Sequence, residues 1–359
     1  MKNKSTNAAI FIPHLGCPHK CSFCDQSKTT KAHNSVVGDA VLSVPTERRG
    51  LRSLQNRDVR EILESYAISL KQRKLTAQIG FFGGTFTALD WNYREELLKT
   101  ANEYLKKHPE IFTGIRCSTR PDYVDEKILT QLKNYGVNAV ELGVQSMCEE
   151  VLKLNNRKHT SDDVRNSAEL IKSFGFELGV QMMTGLLGDT IEKSLYTADE
   201  LIALKPVTAR VYPTVILKGT LLGDLFERGE FETFSLEETV ELCAEIYRCF
   251  TENNIKVIRL GLNISSKDED RKKDIIGGNY GLQLGELCIG RYYFKKMLAF
   301  MQNTGAKKFV IHTDRKNISK INGHKSENKM KLENLGYTYK IKEKQDENML
   351  IEPCEKNVF

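Results

Sequence analysis

Between residues 8 and about 261 the chain alternates short apolar runs with longer amphipathic ones. No other feature restricts its fold as much. Ala8–His14, Gln78–Phe82, Gly114–Ser118, Ala139–Val144, Glu177–Met183, Thr208–Leu217 and Ile255–Leu260 read as buried strands. Asn56–Arg73 between the first two carries Val59, Ile62, Leu63, Tyr66 and Leu70 at helical spacing. Trp91–Lys107, Val124–Tyr135, Ser161–Phe174, Ile191–Leu204 and Leu236–Asn253 are the other helices, the third capped by Ser161 or Thr160. Strands separated by helix-length segments build a parallel sheet from βα units. About six such units point to a partial or complete α/β barrel. A cysteine-bearing loop follows the first strand, where a dinucleotide fold would carry its glycine fingerprint. In βα barrels the loops after the strands carry function.

Near residue 262 the character changes, so the chain divides into a barrel, 1–262, and a small basic α+β appendage, 263–359. Ile264–Asp274 reads as a charged linker, and the polar stretch 25–55 as a long loop. In the appendage, Glu286–Asn303 reads as a helix, Lys307–Thr313 as a strand, and a further helix starts at Glu327. Tyr337–Lys342 and Met349–Glu352 read as paired strands.

No run of about 18 apolar residues is present, so no membrane span is expected. The polar start has no apolar signal region, which points to a cytoplasmic protein. The net charge of +6 is uneven: residues 1–75 hold 13 Lys and Arg against 6 Asp and Glu, and residues 306–359 hold 12 against 8. Basic ends around an acidic middle suit a polyanion partner, or else a lysine-rich solvated surface. Nine cysteines in a long chain without a secretion signal do not describe a disulfide scaffold. Six are scattered and read mostly as small buried hydrophobes.

The other three, Cys17, Cys21 and Cys24, form a C-x3-C-x2-C triplet. Such thiolates can hold three irons of a 4Fe–4S cluster and leave the fourth for an exogenous chelate. A zinc site completed by His14 or His19 is the main alternative; three unrelated thiols is the other.

The triplet, with Phe23 inside it, resembles that of the radical S-adenosylmethionine enzymes. Phe82-Gly83-Gly84-Thr85-Phe86 is similar to their glycine motif for the S-adenosylmethionine amino group. Ser118-Thr119-Arg120-Pro121-Asp122-Tyr123, Glu141–Ser146, Asn156–Thr160 and Tyr212–Thr220 are similar to segments of the Elongator catalytic-subunit subfamily. The resemblance runs from about residue 8 to 260. It implies a partial (β/α)6 barrel with the small α+β domain after it. It also implies a 4Fe–4S cluster on Cys17, Cys21 and Cys24. S-adenosylmethionine would contact Phe23, Gly83, Gly84, Thr85, Ser118, Gln145 and Arg157. Phe23 would lie against the adenine, Gln145 and Ser118 would reach the ribose, and Arg157 would offer its fork to the carboxylate. Each has a plainer reading, as core packing, a strand-end polar group or a loop cation. The subfamily spaces its first two cysteines further apart and carries an acetyltransferase domain. Here the expectation is the radical chemistry without that domain.

In the implied reaction an external one-electron reductant, of flavodoxin or ferredoxin type, feeds the cluster. S-adenosylmethionine is then cleaved to methionine and a 5′-deoxyadenosyl radical, which takes a hydrogen from the substrate. Tyr212 and Cys117 are candidates for returning a hydrogen, with ordinary packing as the plainer reading. In the appendage, Ser319, Asn322, Lys325, Asn328, Lys329 and Lys331 are candidate phosphate contacts. The function expected is modification of RNA, foremost tRNA. A radical enzyme for a small molecule or peptide and a non-catalytic, metal- or cluster-bearing RNA-binding protein are the alternatives.

Overall fold

Each apolar run assigned to the barrel contributes a strand to one sheet, in which every neighbouring pair is parallel. The computed structural model describes residues 5–12, 17, 19–25, 56–262, 272–281, 283–344 and 349–354. His14, nearly all of the loop at 25–55 and most of the linker at 264–274 lie outside the described residues. The strands are β1 (Ser5–Phe11), β2 (Thr76–Phe82), β3 (Phe112–Thr119), β4 (Val137–Gln145), β5 (Glu177–Thr184), β6 (Thr208–Pro213), β7 (Val215–Leu217) and β8 (Lys256–Leu260). One seven-stranded sheet runs in the order β1-β2-β3-β4-β5-β6-β8. β1 and β8 are the two edges of this sheet, so it is a partial barrel, as the resemblance implies.

Helices cover the outer face. They are α1 (Asn56–Arg73), α2 (Trp91–Lys107), α3 (Glu126–Asn134), α4 (Glu149–Leu154), α5 (Ser161–Ser173), α6 (Ile191–Ala203), α7 (Leu221–Glu227) and α8 (Leu236–Glu252). Val59, Leu63, Tyr66 and Leu70 of α1 are buried as one stripe against the sheet. Thr160 caps α5 in a capping box with Asp163, and Ser235 caps α8 in another with Glu238. These caps fix where each helix leaves the loop above the barrel mouth.

The run Thr208–Leu217 is two strands, not one. It breaks at Thr214, whose N–H and Oγ1 both donate to Thr184 O, at 2.9 and 2.8 Å. Beyond the break β7 leaves the barrel and pairs antiparallel with β9 (Ile275–Gly278). A Cβ on Gly278 would lie 2.4 Å from Thr214 O, so this ribbon closes only on glycine.

The C-terminal elements are α9 (Leu284–Thr304), β10 (Lys308–Thr313), α10 (Ile318–Asn322), α11 (Glu327–Asn334), β11 (Thr338–Glu343) and β12 (Leu350–Pro353). The two terminal strands do not pair with each other, contrary to the pattern reading. Both flank β10, β11 in parallel and β12 antiparallel. β10 is the most apolar of the three and takes the centre, with Phe309 and Ile311 fully buried. α9 joins this unit to the barrel: Leu284 and Cys288 pack in the barrel core, whereas Met297 and Met301 pack under the small sheet. Arg291 bridges α9 to Glu237 and Glu241 of α8. Among the described residues no helix is long and apolar enough to cross a membrane.

Candidate active site

The cysteine loop is anchored from below. Ile12 N–H donates to Phe82 O at 2.8 Å, so the chain leaves β1 beside the end of β2. Ser22 is buried; its Oγ donates to Asn155 Oδ1 at 2.6 Å and its N–H to Asn155 O at 3.1 Å. Leu222 N–H donates back to Ser22 O at 2.9 Å. Asn155 is fully buried, and its Nδ2 donates to Val151 O and Leu187 O. One amide therefore ties the loop to the end of α4 and to the turn after β5. Cys17, Cys21 and Cys24 are partly exposed on this loop, and none of them forms a disulfide.

Two other segments meet the loop at its thiols. Cys17 Sγ lies 3.2 Å from Thr85 Oγ1, in the turn after β2. Gly83 in that turn has φ +95°, and a Cβ there would lie 3.2 Å from Ile12 O. Ile12, Phe82, Gly83, Gly84, Thr85, Phe86 and Leu89 line a small cleft beside this turn. From the other side Arg157 places Nη1 3.4 Å from Cys21 Sγ and donates from Nη2 to Gly143 O.

The remaining sequence candidates are placed as follows. Gln145 ends β4 in a left-handed backbone, φ +70°, and its Oε1 accepts from Gln181 Nε2 at 3.2 Å. A left-handed backbone costs a non-glycine residue about 1 kcal/mol or more, which the surrounding packing of this buried strand end must offset. Ser118 points into the barrel and donates from Oγ to Glu141 Oε1 at 2.9 Å, so its hydroxyl is already engaged within the protein. Phe23 packs beside Ile216, Leu222 and Phe231, in an apolar group under the β7–β9 ribbon. Tyr212 carries its hydroxyl 3.4 Å from Arg210 Nη1, at the end of β6. Cys117 is fully buried within the apolar core cluster, and burial pushes its thiol up to about 12. Its neighbours Arg116 and Ser118 instead contact interior groups, so strand alternation turns Cys117 toward the helices, where it cannot return a hydrogen.

Sequence reasoning missed the barrel interior. Glu141, 2% exposed, accepts from Ser118 Oγ and from Arg210 Nε at 2.7 Å, and lies 4.0 Å from Arg116. Arg210 also lies over the Phe82 ring at 4.8 Å. The available signal was a charge midway along each of three otherwise apolar strands.

Charge around the thiols suits an anionic, thiolate-bound group. Among the described residues, three buried atoms on this side of the barrel lack a hydrogen-bond partner: Arg120 Nη1, Arg157 Nε and His159 Nδ1. His159 Nε2 donates to Val144 O at 3.0 Å; burial and the neighbouring Arg157 push this imidazole down to about 3, so it is neutral. Unsatisfied buried donors on two guanidiniums fit a ligand that accepts hydrogen bonds. Among the described residues no three His, Cys, Asp or Glu side chains gather around a position for one metal ion.

The signature of the Radical SAM superfamily matches residues 11–201, over half the chain, and that of the Radical_SAM C-terminal domain matches 206–291. The chain belongs to the Radical SAM superfamily. It is 32% identical over 265 residues to a tRNA uridine(34) acetyltransferase of Methanocaldococcus infernus, covering 65% of this chain and 47% of that protein. It is 31% identical over 268 residues to human Elongator complex protein 3, covering 67% of this chain and 48% of that protein. The chain thus spans about half the length of these curated relatives. The solved structure of archaeal Methanocaldococcus infernus Elp3 with an N-terminal deletion superposes with a TM-score of 0.60, at 21% identity. That superposition covers 84% of this chain and 64% of the other, and it shows a shared radical SAM fold.

Proposed function

We propose that this chain is a radical S-adenosylmethionine enzyme that modifies RNA, foremost tRNA. One observation carries the reading: the glycine turn meets Cys17 through Thr85, and Arg157 meets Cys21, so groups suited to a zwitterionic ligand flank one thiol loop. In this reading Cys17, Cys21 and Cys24 would hold a 4Fe–4S cluster, which, with an external flavodoxin- or ferredoxin-type reductant, would supply the one-electron chemistry for reductive cleavage of bound S-adenosylmethionine. Gly83 and Gly84 bring bare backbone to the ammonium. Arg157 presents its fork to the carboxylate, Gln145 serves the ribose, Ser118 Oγ, its proton given to Glu141, could only accept from the ribose, and Phe23 closes the adenine side.

The substrate class rests on the curated relatives, whose names specify tRNA or Elongator, and on the basic ends of the chain. We place the reaction in the barrel, 1–262, and RNA docking partly on the appendage, 263–359, in a cytoplasmic enzyme. Lys325 is exposed on a turn; Lys329 and Lys331 are half-exposed and pair with Glu333 and Glu327 along α11. Exposed pairs of this kind are weak, so phosphate can displace them. Two of the sequence candidates are otherwise engaged. Asn328 is buried and its Nδ2 donates to Gly290 O and Ile321 O. Asn322 Oδ1 accepts from Tyr339 Oη at 2.8 Å. Mass spectrometry of tRNA nucleosides from cells with and without the gene tests the reading. Loss of one modified nucleoside is expected; an unchanged profile would contradict RNA modification.

A further inference from the structure

Arg120 has no part in the S-adenosylmethionine contacts described above. It follows β3 directly and is 4% exposed. Nε and Nη2 donate to the two carboxylate oxygens of Asp122, at 2.9 and 2.6 Å. The guanidinium also lies over the Tyr123 ring, 5.7 Å from its centroid. Pinned on these sides, it keeps Nη1 buried without a partner among the described residues. Leaving one buried donor unmade costs about 1–3 kcal/mol, more on a charged group, which suits a guanidinium held in place for its charge. Burial works against the Arg120 charge; Asp122, Cys21 and Cys17 outweigh it. Thr119 O, one residue before Arg120, and Arg157 Nη2 both come within 4.0 Å of a Cβ built on Gly143, and Arg157 Nη1 lies 3.4 Å from Cys21 Sγ, so Arg120 stands beside the wall of the thiol loop.

We propose that Arg120, locked by Asp122, is a fixed cation that raises the reduction potential of the cluster bound at Cys17, Cys21 and Cys24. The inference rests on the cluster reading above. Hydrogen bonding and net charge around an iron–sulfur cluster set its potential over a wide range. A positive charge held in a low-dielectric wall favours the reduced, more negative cluster, and Asp122 offsets part of that effect. Arg120 is thus a positioning residue for charge, and the pair Arg120–Asp122 sets the size of the effect. Lys158, nearby in sequence but exposed, is screened and has little influence.

The test is an anaerobic redox titration of the reconstituted protein, followed by the electron paramagnetic resonance of the reduced cluster. Arg120→Gln should make reduction about tenfold less favourable, a shift of ~59 mV to lower potential for one electron. Asp122→Asn should shift the potential upward, because it removes the offsetting charge and leaves Arg120 in place. Arg120→Lys should stay near wild type, and Lys158→Gln should not move. Opposite signs for the two partners are a signature that a packing role does not produce. If Arg120→Gln retains no iron, the sign of the Asp122→Asn shift decides. No shift in either variant, or shifts of the same sign, would overturn the proposal. So would an unaltered potential with a spectrum that no longer responds to S-adenosylmethionine, which would assign Arg120 to that ligand. A wild-type protein that forms no cluster would refute the cluster reading itself, before any variant is compared.

Discussion

Arg157 places its Nη1 3.4 Å from the Sγ of Cys21, across 136 residues of sequence. β4 and α4 bring the two together: Gly143 O holds one arm of the guanidinium and leaves the other at the thiol loop. A cation at this position can serve a carboxylate that chelates the cluster.

Arg157→Ala should therefore weaken S-adenosylmethionine binding by about 2–3 kcal/mol, roughly 30- to 150-fold, the worth of a charge-assisted bond. Arg157→Lys should recover only part, since a point charge lacks the fork. Equilibrium dialysis with labelled S-adenosylmethionine on the reconstituted protein measures this. Unchanged affinity in Arg157→Ala would remove the residue from the carboxylate site.

Asn155→Ala should loosen the thiol loop. It strands Ser22 Oγ and the N–H and carbonyl of Leu187 in a buried place, at about 1–3 kcal/mol for each unmet group, whereas Val151 O keeps its bond from the Asn155 backbone N–H. Iron per chain after reconstitution and desalting should fall well below wild type, while the circular dichroism of the α/β sheet persists. Full iron retention would show that the loop holds itself.

The barrel was legible in the sequence because burial on both faces of a parallel sheet writes continuous apolar runs. Cys17, Cys21 and Cys24 were legible because their partners are adjacent in sequence. Asn155, Arg120 and the Arg116–Glu141–Arg210 network were not, because each acts through residues tens of positions away that only the sheet order brings together. The break of Thr208–Leu217 escaped for a related reason. Val215–Leu217 is as apolar as β6, and only the double bond of Thr214 to Thr184 O turns the chain aside. β11 and β12 looked like partners because they are neighbours in sequence, yet the apolar β10 outcompetes either for the central position.

His159 makes stability depend on pH. Its folded value, about 3, lies below the ordinary 6.5, so the unfolded chain binds the extra proton between them. Stability is complete above 6.5 and declines as pH falls through that window, by at most about 1.4 kcal/mol per pH unit. Between pH 7 and 5.5 the iron-free wild type should lose about 1 kcal/mol more than His159→Gln, whose amide keeps a donor for Val144 O. Urea midpoints at the two pH values give the comparison. Parallel losses in both proteins would contradict the assignment.

Neutralising Lys325, Lys329 and Lys331 together should weaken tRNA binding and flatten its salt dependence by up to about 0.9 in log–log slope per lost phosphate contact. Cleavage of S-adenosylmethionine without RNA should be untouched, because that chemistry needs no RNA contact. Fluorescence anisotropy at several salt concentrations reads the slope. An unchanged slope would place RNA docking elsewhere.

The central claim is that one thiol loop and the glycine turn beside it cleave S-adenosylmethionine. The direct measurement is 5′-deoxyadenosine formed by the anaerobically reconstituted protein with dithionite, quantified by chromatography. Wild type should form it, and Cys17→Ala, Cys21→Ala and Cys24→Ala should form none. Gly83→Val should keep the iron yet fail, because φ +95° and Ile12 O at 3.2 Å leave no room for a branched side chain. A protein that carries zinc and no iron, or a Cys21→Ala variant that forms 5′-deoxyadenosine at the wild-type rate, would contradict the account.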